Sequence, residues 1–293
     1  ADVFIENFRP GVAERLGLGY ETLRALNRRL IYCSISAFGR SGPYKDKPGF
    51  DTLGQAMSGL LSVLTDRDQR RVMGIALSDY VTGISAAYGI LGALMGREKR
   101  GEGCRVDTSL LQATLSFIGE TAAGYMRTGE VPDRMARVKN AHAFAFVAKD
   151  GLPLVVHCSV PEKFWLGFLK AVDRPDLADD ARFKDRAARR RHYEELERKL
   201  AQVFVTRNRS DWLNRLAEND VPASALYDMA EVLADEQVNH LGLIEELEHG
   251  PRVRPSEAGP RPWRHGLKLT VGHHEHSIGA GEERLERRPD VFA

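Results

Sequence analysis

An α/β fold with a second, α+β part is what this sequence predicts, on two observations. Over residues 1–130, short β-rich runs alternate with segments of helical spacing, which argues for βαβ units and a largely parallel sheet. After Gly129 the character changes: Ala143 to Lys149 and Leu152 to Cys158 flank Asp150-Gly151, a strong two-residue hairpin signal.

Taken in order, Val3 to Ile5 is a short strand, and Glu6-Asn7-Phe8-Arg9-Pro10-Gly11 turns the chain behind it. Val12 to Leu16 reads as a helical turn and Tyr20 to Leu26 as a short helix. Leu30-Ile31-Tyr32-Cys33-Ser34-Ile35-Ser36 is the central-strand candidate, and a Gly- and Pro-bearing loop runs from Gly39 to Gly49. Helical spacing resumes at Leu53, Met57, Leu60, Leu61 and Leu64. Ser78-Asp79 precedes the strongest helix, Tyr80 to Arg97, with Val81, Ile84, Tyr88, Leu91 and Leu94 at three- and four-residue steps along one face. Gly101-Glu102-Gly103 stops it, Cys104 to Asp107 is a strand, and Thr108 to Met126 a further helix. Beyond the hairpin, helices are expected over Pro161 to Val172, Asp185 to Val205, Ser210 to Asn219 and Met229 to Val238. Strands are expected at Pro222 to Tyr227 and Leu243 to Glu248, with an irregular tail from Gly250.

Composition excludes several classes of protein. With 293 residues, 43% of them hydrophobic, the chain is long enough to hide about three quarters of its unfolded surface. Lys plus Arg at 42 against Asp plus Glu at 41 leaves +1, no basic excess to hold a nucleic acid backbone. Cys33, Cys104 and Cys158 are odd in number and far apart, so they suggest neither a disulfide framework nor a metal site, and a cytoplasmic home is expected. No apolar run reaches the roughly 20 residues of a membrane helix.

Most local motifs carry little. Gly17-Leu18-Gly19 lacks the third glycine of a dinucleotide fingerprint and the Lys-Ser/Thr of a phosphate loop. The spacing of His273-His274-Glu275-His276 is unlike a helical zinc site, and Ser34, Ser36 and Ser58 lie in no nucleophile elbow. Arg186 to Arg191, followed by Glu194, Glu195 and Glu197, reads as a solvated helix face, with nucleic-acid binding as the sharper alternative. Asp79 matters most. Read locally it is an N-cap, and the helix dipole favours its ionised form. An ionised, positioned carboxylate is also a nucleophile, and local chemistry does not choose between the two.

A longer pattern does. Ala1-Asp2-Val3-Phe4-Ile5-Glu6-Asn7-Phe8-Arg9-Pro10-Gly11, then Glu14-Arg15-Leu16-Gly17-Leu18-Gly19-Tyr20, resembles a signature of the class III CoA-transferase family. The match continues through Arg29 to Ser36, Gly42-Pro43-Tyr44, Pro48-Gly49-Phe50-Asp51, Gln55 to Gly59, Asp79 with Thr82-Gly83, and Gly101 to Leu111. Lys149-Asp150-Gly151, Phe164-Trp165, Trp212 and Val221-Pro222 resemble the family's small domain.

The resemblance implies a Rossmann-like large domain, partly present in residues 1–130, a small α+β domain over 138–242, and a partly irregular segment over 243–293 returning toward the large domain. It implies that Asp79 is the catalytic aspartate, attacking an acyl-CoA thioester and carrying CoA to a carboxylic acid through anhydride and thioester intermediates. Asn7, Phe8, Arg9 and Arg15 match CoA-contacting positions, and Lys47 and Phe50 lie in the segment over the thioester end. CoA is then a substrate, with no prosthetic group and no metal, and the partners are an acyl-CoA, a small carboxylic acid and a second copy in an interlocked homodimer. The family's racemases carry histidine where Phe50 stands, so transfer is expected over racemisation. A non-catalytic CoA-binding subunit is the other rival. Val138 to His142 lacks the glycine run of some transferases. Family members carry further sheet before the point matching Ala1, so the chain is expected to be a portion of a longer one.

Overall fold

The structure is a computed structural model describing residues 1–66, 68–159, 161–246 and 265–267. β1 (Val3–Glu6) leads into α1 (Val12–Arg15) and α2 (Tyr20–Leu26), and β2 (Ile31–Ser36) into the loop before α3 (Asp51–Met57) and α4 (Leu60–Leu64). The 24-residue α5 (Leu77–Arg100) is followed by β3 (Arg105–Ser109), α6 (Leu110–Phe117), α7 (Gly119–Thr128) and α8 (Ala136–Ala141). Then come β4 (Ala143–Val147), β5 (Pro153–His157), α9 (Glu162–Ala171), α10 (Asp176–Asp179), α11 (Arg186–Arg191), α12 (Tyr193–Phe204) and α13 (Arg209–Glu218). β6 (Ala223–Ala225), α14 (Met229–Ala234), α15 (Glu236–His240), β7 (Ile244–Glu246) and β8 (His265–Leu267) complete the order.

β1, β2 and β3 form a parallel sheet in that order, with Glu6, Ser34 and Asp107 in register across it. Alternation puts Ile31 and Cys33 on one face, where they pack with Ala86, Ile90 and Ala93 of α5. Tyr32 and Ser34 take the other face, beside Phe4 and Glu6 of β1 and Arg105 and Asp107 of β3. The mixed α/β class and the parallel sheet agree with expectation.

The apolar face of α5 agrees only in part: Val81 and Leu94 are half-buried, Leu94 against this core. Ile84, Tyr88 and Leu91 are 70%, 80% and 60% exposed, while Ser78, Thr82, Ala86, Ile90 and Ala93 face inward. Small residues let the helix lie close on the sheet: a Cβ on Gly89 would stand 2.8 Å from Val106 Cγ1. The helix also starts before Tyr80, at Leu77, so Asp79 is in its first turn and is not the N-cap, which is Ala76.

A second core joins Phe144 and Phe146 of β4, Leu154 and Val156 of β5, and Trp165, Leu200, Phe204 and Trp212 of the helices behind them. Trp212 Nε1 donates to the Phe204 carbonyl at 2.7 Å, so the buried indole is satisfied. The hairpin at Asp150-Gly151 is present, antiparallel, with Gly151 at φ 77°.

Several expected helices are broken. His192 separates α11 from α12, Ile118 separates α6 from α7, and Ser58-Gly59, with Gly59 at φ 86°, separates α3 from α4. Thr108 and Ser109 belong to β3, and Ser109 caps α6 by accepting from Gln112 N at 3.2 Å. The basic run on α11 is not wholly solvated: Arg189 is 2% exposed, bonded to both Glu162 oxygens and lying over Trp165. Apart from β8, the expected irregular tail, including His273 to His276, lies outside the described residues.

Candidate active site

The strands of a parallel sheet all end on one edge, and α5 returns to that edge. Arg97, near its C-terminal end, donates to Asp2 Oδ1 at 3.0 Å, ahead of β1. Ser78, at its start, shares a 2.7 Å hydrogen bond with Thr114 Oγ1, beyond the end of β3. Asp79 therefore sits at the carboxyl edge of the sheet, where open α/β folds bind ligands. The turn after β1 and the loop after β2 leave from the same edge and carry the other residues singled out by sequence.

Asn7, Phe8, Arg9, Arg15, Lys47, Phe50 and Asp79 are all exposed. Phe8 N donates to Glu6 Oε2 at 2.8 Å, and Val12 N donates to the Arg9 carbonyl at 3.0 Å, shaping the turn. Gly11 at φ 84° takes a conformation that a side chain would strain, and a Cβ there would stand 3.5 Å from Arg15 Nη1. Lys47 Nζ lies 3.9 Å from the Tyr44 ring centroid. Backbone closeness at Gly49, where a Cβ would meet Ala37 Cβ at 2.2 Å, folds the loop back and delivers Phe50 to the start of α3.

Asp51 joins that loop to the catalytic candidate. Its Oδ1 accepts from Ser78 N at 2.8 Å and Asp79 N at 3.2 Å, capping α5 from a different helix. Its Oδ2 accepts from Gln55 Nε2 at 2.6 Å, and Gln55 also donates to the Ile75 carbonyl at 3.0 Å. Gly54 lets the two helices meet, since a Cβ there would stand 2.3 Å from Ser78 Oγ. Sequence reading assigned Asp51 and Gln55 no role. Their spacing signals only a local pair, because the bond to Ser78 spans 27 residues.

Loss of solvent and then the nearby Asp51 charge push the Asp79 carboxyl above its ordinary range, against the ionised form expected of a helix start. The result is a carboxylate with raised basicity, open to an incoming electrophile. The segment expected to lack a glycine run is α8 and His142, the latter buried at φ 46°. Burial, then Arg189 and Arg186, lower the His142 imidazole to about 4. A groove of about 1670 Å³ between α7, α8 and α11 takes in Arg186, Arg190 and Arg191 but none of the residues the resemblance assigns to the CoA site. Among the described residues, no three His, Cys, Asp or Glu side chains gather as a metal site, and no helix is long and apolar enough to cross a membrane.

The profile of CoA-transferase family III matches residues 1–267. The acetyl-CoA:oxalate CoA-transferase of Acetobacter aceti is 37% identical over 238 residues, 79% of this chain and 60% of that protein. The human succinyl-CoA:glutarate CoA-transferase is 32% identical over 95% of this chain and 68% of its own length. This chain thus spans roughly two thirds or less of these two relatives. Among solved structures, a CAIB/BAIF family protein from Brucella suis superposes with a TM-score of 0.73 at 31% identity, covering 91% of this chain and 71% of that one. A sequence profile spanning all the described residues, together with a shared three-dimensional arrangement, makes this chain a member of CoA-transferase family III.

Proposed function

We propose that this chain carries the catalytic centre of a CoA-transferase that moves CoA from an acyl-CoA to a small dicarboxylic acid, with Asp79 as nucleophile. The observation that carries it is the exposed Asp79 carboxylate in the first turn of α5, at the sheet edge from which the Asn7–Gly11 turn also leaves. Oxalate and glutarate, the acids in the names of the two relatives, are both dicarboxylic.

In this reading Asp79 Oδ attacks the thioester carbonyl, the C–S bond breaks, and CoA leaves as thiolate from a mixed anhydride. The thiolate attacks the aspartyl carbonyl, releasing the donor acid and leaving an aspartyl-CoA thioester. The acceptor carboxylate displaces the thiolate to form a second anhydride. Thiolate attack on the acceptor's carbonyl then frees Asp79 and completes transfer. The Asn7–Phe8 turn and Arg9 would line the path of CoA, Arg15 would meet its phosphates, and Lys47 and Phe50 would cover its thioester end.

Anhydrides hydrolyse readily, so the edge must be shielded from water during turnover. Tyr80, Ile84, Tyr88, Leu91 and Met95 form an exposed apolar stripe along α5 that begins beside Asp79. A second copy seated on this stripe, as in an interlocked homodimer, supplies that cover in our reading. Cys33 and Cys158, buried and unpaired, suit a cytoplasmic setting. The two separate cores favour a large domain over 1–130 and a small one over 138–242. Incubating the protein with succinyl-CoA or acetyl-CoA plus oxalate or glutarate tests the reading. It expects the acceptor's CoA ester; failure of every pair, with the relatives' enzymes active in parallel, would count against it.

A further inference from the structure

Glu6 is an acidic residue only 6% exposed, an expensive burial unless its carboxylate is paired and hydrogen-bonded. Its Oε1 accepts from Ser34 Oγ and its Oε2 from Phe8 N. Arg40, from the loop after β2, reaches over the same sheet face. Its Nη1 donates to Ser34 Oγ at 3.1 Å and stands 3.7 Å from Glu6 Oε1. Its Nη2 donates to Glu14 Oε1 at 2.7 Å, and its Nε is 3.9 Å from Asp107 Oδ1.

One guanidinium thus grips both ends of the Asn7–Gly11 turn. Through Ser34 and Glu6 it reaches the Phe8 amide at the front; through Glu14 it holds α1, which carries Arg15, at the back. Arg40 also lies on the loop that continues to Lys47 and Phe50. Only a planar fork of several donors can satisfy partners on three strands and a helix at once.

We propose that Arg40 and Glu6 are positioning residues that preform the CoA-contacting turn against the sheet, so that acyl-CoA meets Phe8 and Arg15 already in place. This rests on the CoA-transfer reading above. A preformed turn spares the ordering cost on binding, so its loss falls on affinity for the thioester and leaves the chemistry at Asp79 largely alone.

The test combines turnover, CoA titration and amide hydrogen exchange on native, R40M, R40K and E6Q chains. R40M should raise the KM for acyl-CoA and the Kd for CoA about tenfold, the scale of a lost charged hydrogen bond, with kcat within about twofold. R40K, keeping charge but not the fork, should recover part of the loss, and the Phe8 amide should exchange faster in R40M and E6Q. The effects of R40M and E6Q should fall short of additive in the double variant. A fall in kcat with unchanged KM, or a Phe8 amide indifferent to R40M, would overturn the proposal. Should R40M fail to fold, R40K and E6Q decide by the same readouts. A native chain that neither binds CoA nor transfers it would sink the transfer reading, while the Phe8 amide would still report whether the clamp exists.

Discussion

The Asp51 carboxylate accepts a hydrogen bond from the Asp79 backbone amide at 3.2 Å and from that of Ser78 at 2.8 Å. One acid thus holds the backbone of another while its charge opposes the other's ionisation. That gives Asp51 two separable effects, geometry and field.

Replacing Asp51 by Asn keeps an oxygen for the amides and removes the charge. Since Asp51 contributes to the raised Asp79 pKa, after desolvation, the Asp79 pKa should fall in D51N. The nucleophile is lost as pH falls through that pKa, so the acidic limb of kcat should move to lower pH. A pH–rate profile checks this; an unmoved limb would dismiss the coupling. D51A, which also frees the two amides, should further cost about 1 kcal/mol of stability in urea unfolding.

His142 predicts a pH dependence of a different kind. Its imidazole titrates near 4 when folded, below the ordinary 6.5, so it is held neutral in the folded chain. Stability from this source is complete above about 6.5 and is lost as pH falls toward 4. H142N, with a residue suited to φ 46°, should flatten the fall in urea midpoint across that window. An equal slope in both proteins would place the acid sensitivity elsewhere.

The existence of the elements was legible in the sequence better than their faces were. The continuous apolar run around Ile31 to Cys33 announced a central strand, and Asp150-Gly151 announced the hairpin, because both signals are local. For α5 the apolar spacing was a partial guide: Ile84, Tyr88 and Leu91 point outward, while Leu94 packs toward the sheet together with Ala86, Ile90 and Ala93. Burial follows the partner surface, which spacing alone does not contain. Asp79 was recognisable only through a pattern spread along the chain, and Asp51's grip on it was not, since that bond forms only when α3 packs against α5.

The outward stripe makes its own prediction. Tyr88 is 80% exposed, so Y88E should cost the isolated fold less than about 0.5 kcal/mol. If a second copy covers the stripe, Y88E should turn a dimer into a monomer in sedimentation. A native chain that is monomeric, or a Y88E dimer as tight as the native one, would remove this surface from the interface.

Phe50 speaks to the reaction type. Its ring has no group to take or return a proton, so a 2-methylacyl-CoA incubated with active protein in deuterated water should show no α-exchange by mass spectrometry. Clear incorporation would favour racemase chemistry.

Covalent transfer through Asp79 is most directly tested by trapping. Mixing the protein with an acyl-CoA and quenching with hydroxylamine converts an aspartyl anhydride or thioester into a hydroxamate, which peptide mass spectrometry locates. The modification should appear on the peptide bearing Asp79, require acyl-CoA, and vanish in D79A. A protein that transfers CoA with no adduct at Asp79, or a D79A variant that retains turnover, would contradict the mechanism.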